Sequence, residues 1–465
     1  MKKTFLLSCL MLAAMPVMAA YTGHVYVDKN KNGVFDQSEK PLAGIKVSDG
    51  LNVVETAADG SFTLPGHERE RFIFITTPSG YKTFNRHYHK IEKKQSGYDF
   101  GLIPYSGRIR KDGSHRYIHI TDTEIFNTEN HADWVNNVHD YARNEQAAFI
   151  IHTGDICYEK GLKAHIKLMN TENMDCPVFY CIGNHDLVKG KYGEELFESI
   201  YGPVYYSFDA GNVHYVVTPM PGGDYAPGYT SDDVCRWLKN DLTHIRPGTP
   251  VVVFNHDLLT YEDTFIFKSK NAGSINLNEY NLKAWVYGHW HINYMKKQGD
   301  VYSVCTSSLD KGGIDHSTTA FRVMHVDSKG DFTSELRYTY LDKNICIASP
   351  AGVMASGVLP VAVNVYSSVS PVREVLYTCL ADGKPVLKNK RLLQSTDWSW
   401  NGELPLSHKY VGKELTLRVT ARFNNGEIAE AESNFICRTE KTVPLFSADW
   451  DLSLIHISEP TRLRR

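Results

Sequence analysis

Residues 115–345 limit the fold most strongly. Short apolar runs there alternate with helical stretches, and five runs end in turns rich in Asp, Asn and His. Tyr117–Ile120 leads to Asp122-Thr123-Glu124, and Phe149–Ile151 leads to Gly154-Asp155. Val178–Tyr180 leads to Gly183-Asn184-His185-Asp186, Val251–Phe254 to His256, and Trp285–Tyr287 to Gly288-His289-Trp290-His291. The segment 131–144 reads as a helix with Trp134, Val138 and Tyr141 on one face. Strands alternating with helices predict an α/β core. In such folds the carboxyl ends of the strands converge on the ligand crevice. A lone Gly-Asp is an ordinary turn and a lone His an ordinary packed residue. Five such clusters at converging strand ends point to metal ligation. A Gly before a ligand allows tight turns and close backbone approach.

The flanking blocks read as β-structure. Residues 21–105 carry short alternating runs separated by Gly-containing turns, which predicts a β-sandwich. Residues 349–451 alternate in the same way and predict an immunoglobulin-like β-domain. Ser106 to Ser114 forms a linker between the first two blocks. Within the first block, Asp28, Asn30, Asn32, Gly33, Asp36 and Glu39 have the spacing of a calcium loop, with Gly33 at the sharp turn. A strand precedes the loop and Pro41 comes after it, so the context is not an EF-hand. The stretch resembles calcium-loop β-sandwich repeats of bacterial surface proteins, which implies Ca²⁺. The alternative is a polar Asx-turn loop holding no ion.

The termini stand apart. Lys2 and Lys3, the apolar run from Phe5 to Met15 and the small residues up to Ala20 have the form of a secretory signal peptide over residues 1–20. A secreted, periplasmic or cell-surface location is expected, with no membrane span after signal removal. Residues 453–465 break the preceding pattern and resemble translated adapter read-through, so they are set aside as a non-native or disordered tail. The balance of 50 basic and 53 acidic residues gives no pull toward nucleic acid. Eight cysteines lie beyond Cys9 and are thinly spread. Cys176 with Cys181, and Cys379 with Cys437, are the pairs that could bridge, and buried free thiols are the favoured reading.

On the five motifs, the middle block resembles the calcineurin-like metallophosphoesterase family. The likeness extends to Tyr201-Gly202-Pro203 with Tyr205-Tyr206-Ser207-Phe208, and to Trp237-Leu238 with Asp241-Leu242. With its flanks the chain is similar to the secreted three-part version of that family. The resemblance implies a four-layer αββα sandwich carrying two divalent transition-metal ions (Mn, Fe, Zn or Mg), with all-β domains on either side. It implies that Asp155 bridges the ions, that Asp122 and His291 hold the first, and that Asn184, His256 and His289 hold the second. His185 would protonate the leaving oxygen and Asp186 would orient it. One position departs. The family usually has Asp-x-His in its first motif, and here Glu124 takes the place of the His. Glu is a competent hard ligand, which favours Mn, Fe or Mg over Zn. The alternative is a Glu124 turned away from a weak first site. Tyr158 stands where a further Asp is common.

The expected activity is hydrolysis of phosphomonoesters or phosphodiesters by a metal-bridging hydroxide. A surface binding protein with a degenerate core is the alternative. A nuclease finds no support in the charge balance. His119, His152, Cys157 and His214 read as packing or outer residues. Lys189, Lys191 and Tyr192 read as a solvated loop.

Overall fold

The computed structural model describes residues 20–439 other than Asp342. The signal-peptide reading up to residue 19, residues 440–451 of the third block and the tail 453–465 lie outside the described residues. The chain divides at Thr339/Tyr340 into two compact units.

The first unit contains the five motifs. One sheet has the order Val178–Tyr180, Phe149–His152, His115–Ile120, Ala320–Val326, Phe332–Tyr338. Its first three strands run parallel, and Ala320–Val326 joins antiparallel. The other sheet has the order Tyr206–Ala210, Val213–Val217, Val251–Phe254, Leu282–Tyr287, Val301–Cys305, Tyr294–Gln298. Val213–Val217, Val251–Phe254, Leu282–Tyr287 and Val301–Cys305 are parallel neighbours. Strands covered on both faces need apolar side chains on both, and Phe149–His152 and Val251–Phe254 are buried at every position.

Alternation along each strand divides these side chains between layers. Tyr117, Phe149 and Ile151 share one core with Phe208, Tyr215 and Phe254 of the other sheet. Ile118, Ile120 and Ile150 face the opposite way and pack with Trp134, Val138, Tyr141 and Ala142 of the helix Ala132–Asn144. The expected helix 131–144 is thus found one residue shorter. On the second sheet the helix Ser231–Thr243 contributes Trp237, Leu238 and Leu242. Its start is fixed by a reciprocal box: Asp233 N–H donates to Thr230 Oγ1 at 3.2 Å, and Thr230 N–H donates to Asp233 Oδ2 at 2.9 Å.

The N-terminal strands form two small sheets around a core that includes Val25, Val47, Phe62, Phe100 and Leu102. The strand Phe72–Ile75 serves two cores at once. Ile73 and Ile75 enter the small core, while Phe72 and Phe74 enter the large one. Arg71 reinforces this seam, with a guanidinium nitrogen 2.7 Å from Glu194 Oε1 and 2.8 Å from Glu198 Oε1. The 106–114 stretch separates the two blocks in sequence, but they fold as one unit.

The second unit consists of two β-sheets around Val361, Val363, Val365, Val375, Tyr377, Trp400, Leu417 and Val419. It begins before residue 345 because the strand Asn344–Ser349 pairs with Val358–Tyr366. Cys379 and Cys437 both lie in this core, and all eight described cysteines are free thiols. Among the described residues no helix is long and apolar enough to cross a membrane.

Candidate metal centre

The ligand turns are backbone-strained. Asp122 (φ 49°), Glu124 (φ 43°), Asp155 (φ 55°), His289 (φ 65°) and His291 (φ 49°) all occupy the left-handed region. For non-glycine residues this costs about 1–3 kcal/mol each and persists only where neighbours over-determine it. Here the turns are bonded to one another. Asp122 N–H donates to Gly154 O at 3.0 Å, Glu124 N–H to Asp155 O at 3.2 Å, and Gly288 N–H to His256 O at 3.0 Å. Two glycines allow the turns to touch. A Cβ on Gly183 would stand 2.2 Å from Asp155 Oδ1, and one on Gly288 would stand 1.9 Å from Thr121 Oγ1.

The convergence predicted from sequence is present. Asp155, His256 and His289 offer ligand atoms that lie within 4.8 Å of one another. The His256 and His289 ring centroids are 5.0 Å apart. His291 Nε2 is 3.3 Å from Asp122 Oδ1 and 3.5 Å from Glu124 Oε1. Asp122 is fully buried, and its carboxylate accepts His289 N–H at 3.0 Å.

Two buried atoms in and beside the cluster have unfilled capacity. His256 Nδ1–H donates to Thr153 O at 2.7 Å, which directs Nε2 inward. That Nε2 and Asn184 Oδ1 are both buried without a hydrogen-bond donor. His256 Nε2 lies 3.1 Å from Asp155 Oδ2. Two acceptors at that distance repel unless a cation stands between them. Burial opposes charge on His256, but the Asp155 carboxylate outweighs it and pushes the ring up to about 10. The site therefore takes up a proton or a metal ion, and its mixed carboxylate, amide and imidazole donors fit a divalent transition metal.

His185 is placed beside these ligands, but its carboxylate partner is not the one expected. Asp186 does not orient His185. It is fully buried, and its oxygens accept the backbone N–H groups of Gly183, Asp155 and Cys157, each at 2.9 Å. Burial and the neighbouring Asp155 push Asp186 up to about 7 against the pull of these donors. The two side chains diverge because Asn184–Asp186 forms a short 3₁₀ turn, which sends successive residues in different directions. Asp224 fills the role instead: His185 Nδ1–H donates to Asp224 Oδ2 at 2.8 Å. Burial works against the charged imidazole, but the Asp224 bond and Asp155 raise its pKa overall. The Tyr158 hydroxyl lies 3.5 Å from the same Nδ1. Asp224 comes directly after Pro221-Gly222-Gly223, a Gly-then-Asp turn like that of Gly154-Asp155, and that is the signal the sequence offers for it.

The other histidines are packed, as their sequence positions suggest. His119 bonds Thr153 Oγ1 and Thr306 Oγ1, each at 2.8 Å. His152 bonds Gly154 N–H and Thr123 Oγ1. His214 sits in its strand between Asp209 (2.7 Å) and Asp241 (2.8 Å). Cys157 is buried, whereas Lys189 and Lys191 are exposed. A cavity of about 320 Å³, lined by residues such as His87, Tyr88, Phe179 and Phe208, contains none of the candidate ligands.

The calcium-type loop closes on itself. Asp28 Oδ1 accepts Asn32 N–H (3.2 Å) and Oδ2 accepts Gly33 N–H (2.9 Å). Glu39 accepts Lys29 N–H (2.9 Å) and Asp36 N–H (3.1 Å). The Asn30 and Asn32 amides donate to Asp36 Oδ2 at 2.7 and 3.1 Å. These bonds draw the loop's oxygens together in the manner of an Asx-turn. A second cluster, Asp49, His67 and Glu70, is likewise internally bonded, with Asp49 accepting Leu51 and Asn52 N–H at 3.0 and 2.7 Å.

Residues 115–293 match the family described as calcineurin-like phosphoesterase, and residues 29–104 match the N-terminal domain of calcineurin-like phosphoesterase. Among curated proteins the chain is similar to purple acid phosphatase 13 of Arabidopsis thaliana, at 26% identity over 215 residues. That match covers 43% of this chain and 36% of the relative, so it spans about a third of the relative's length. Among solved structures, an archaeal phosphodiesterase is 13% identical, covering 48% of this chain and 99% of its own, with a TM-score of 0.25. Vacuolar protein sorting 29 from Cryptosporidium parvum is 10% identical, covering 63% and 99%, with a TM-score of 0.25.

Proposed function

The chain belongs to the calcineurin-like phosphoesterase family, and from that premise we propose that it hydrolyses phosphomonoesters or phosphodiesters at a centre of two divalent metal ions. The observation that carries this reading is the convergence of the Asp155, His256 and His289 ligand atoms within 4.8 Å of one another, with Asn184 Oδ1 buried and without a hydrogen-bond partner. Asp122, Asp155 and His291, with Glu124, would hold one ion, and Asp155, Asn184, His256 and His289 the other. Two such ions, when bound, supply a nucleophile from water near neutral pH and offset charge on the phosphoryl group.

The protein's own groups do the rest. Thr153 O fixes the His256 tautomer, so that Nε2 is the ligand atom. The buried Asp186 carboxyl ties together the turns that present Asp155 and Asn184. Asp224 holds His185 by Nδ1, which leaves Nε2 to deliver a proton to the departing oxygen. The larger architecture we propose is a four-layer αββα core with β-domains before and after it, exported by the N-terminal signal sequence. Two sheets with a shared core and helices packed on their outer faces support the four layers. Calcium at the Asp28–Glu39 loop is supported by the residue types and their spacing, with the Asp28, Asp36 and Glu39 carboxylates gathered by the loop's own N–H groups.

Elemental analysis paired with turnover on mono- and diester panels tests the reading. Two transition-metal equivalents per chain are expected, and Asp155→Asn should lose both together with more activity than any other single ligand change. Trace metal under every loading condition, or near-wild-type turnover of Asp155→Asn with both metals held, would overturn it.

A further inference from the structure

Lys311 reaches the centre from outside the five motifs. Its ammonium forms an ion pair with Glu124 Oε2 and lies 3.4 Å from the Glu124 carbonyl oxygen. The other oxygen of Glu124 faces His291 Nε2 at 3.5 Å. Glu124 is therefore shared between a candidate metal ligand and a cation. The approach of Lys311 is built into the backbone. Lys311 N–H donates to Ser308 Oγ at 3.2 Å, and Ser308 Oγ–H donates to Asp122 O at 2.7 Å. Ile314 N–H then donates to His291 O at 2.9 Å. The loop carrying Lys311 is thus anchored to two of the residues assigned to the first metal.

Charge gives this contact a purpose. Two divalent ions bring four positive charges, and Asp122, Asp155 and Glu124 return three. A neutral imidazole at position 124 would leave only two carboxylates, and the centre would hold one more positive charge. We propose that Glu124 and Lys311 act as one unit. Glu124 contributes the oxygen, and Lys311, a positioning residue, holds it and restores the positive charge that the carboxylate removes. This rests on the metal-dependent reading above. Its consequence is a preference in substrate class. A centre with that charge restored favours the doubly charged phosphate of a monoester over the singly charged phosphate of a diester, because attraction scales with ligand charge. The Lys311 side chain is 46% exposed, so the ammonium is open to an incoming anion while it stays on Glu124.

A five-protein comparison tests the pairing: wild type, Lys311→Met, Lys311→Arg, Glu124→His and the double variant Lys311→Met with Glu124→His. Manganese binding to metal-free protein is measured by calorimetry. Binding of inorganic phosphate and of dimethyl phosphate to the Mn²⁺-loaded forms is measured by competitive inhibition. Lys311→Met should weaken phosphate by roughly fivefold to tenfold and dimethyl phosphate clearly less, with manganese bound at least as tightly as in wild type. Adding Glu124→His should bring phosphate binding back toward the wild-type value, and Lys311→Arg should stay near wild type throughout. Effects that simply add in the double variant, equal losses for both anions, or a fall in manganese affinity and melting temperature that Glu124→His does not repair would each overturn the pairing. A wild-type protein that takes up no manganese counts instead against the metal centre itself.

Discussion

The partnership of His185 with Asp224 can be tested quantitatively. Asp224→Asn keeps the size and one acceptor oxygen but removes the charge from the 2.8 Å bond to Nδ1. A hydrogen bond to a charged group contributes about 1.5–3 kcal/mol and a neutral one about 0.5–1.5, so the change should cost about 1–1.5 kcal/mol. The His185 and Asp224 side chains are 33% and 35% exposed, and water screens part of that charge. A loss of about 1 kcal/mol in stabilising the protonated ring is the working value, or roughly fivefold in rate. Asp224→Ala removes the bond entirely and should cost about 2 kcal/mol, roughly thirtyfold. Both fall below His185→Ala, which removes the acid itself and should cost about 10²–10⁴. The losses belong to poor leaving groups, which need a proton most. The assay is kcat/KM over a series from p-nitrophenyl to alkyl phosphate, plotted against leaving-group pKa, with metal content measured on each variant. The slope should steepen in the order Asn, Ala at position 224, then Ala at 185, with metal retained. Tyr158→Phe should leave the slope unchanged, since 3.5 Å is the limit of a hydrogen bond. A wild-type slope in Asp224→Ala, or a steepened slope in metal-replete Asp186→Asn, would refute the assignment.

Asp186→Asn should act on structure rather than on proton delivery. An amide oxygen cannot serve all three N–H groups, so about 3 kcal/mol is lost, with a fall in melting temperature of roughly 5 °C or more and weaker metal binding; calorimetry and elemental analysis read both. His214 is pushed up to about 9, since Asp241 and Asp209 outweigh its burial. Its stabilisation, up to about 3 kcal/mol, should be complete below pH about 6.5 and lost as pH rises through about 9. Denaturant unfolding across that range should show the decline in wild type and not in His214→Gln. At the Asp28–Glu39 loop, a Ca²⁺ site filled at a hundredfold excess over Kd would add about 2.7 kcal/mol. Full-length protein should then melt higher with Ca²⁺, and Asp28→Ala should abolish the rise, whereas a melting temperature indifferent to Ca²⁺ in wild type would show that the loop holds no ion.

Several of these parts are readable from sequence because their signals are local. The runs 149–151 and 251–254 are apolar at every position, and such runs become strands covered on both faces. Asp155, His256 and His289 come shortly after such runs, so finding the strands locates the candidate ligands. Asp224 and Lys311 escape a reading of this kind, because each lies in a long loop far along the chain from the residue it serves. Only the folded chain brings Asp224 to His185, 39 residues away, and Lys311 to Glu124, 187 residues away. Asp186 misleads for the opposite reason: it is next to His185 in sequence, and adjacency in a 3₁₀ turn is not contact. The 106–114 stretch reads as a linker from composition, but composition says nothing of Phe72 and Phe74, whose alternate positions on one strand belong to a neighbouring core.

That shared strand bears on how such a chain can change over time. Where two modules meet only through a tether, either can be exchanged for a relative's version. Here an exchange near residue 110 would have to carry matching partners for Phe72, Phe74 and Tyr88 and acidic residues for Arg71. The boundary between the two compact units, at Thr339/Tyr340, falls between the strands Phe332–Tyr338 and Asn344–Ser349. Viable chimaeras among relatives should therefore inherit the N-terminal strands and the motif-bearing core together.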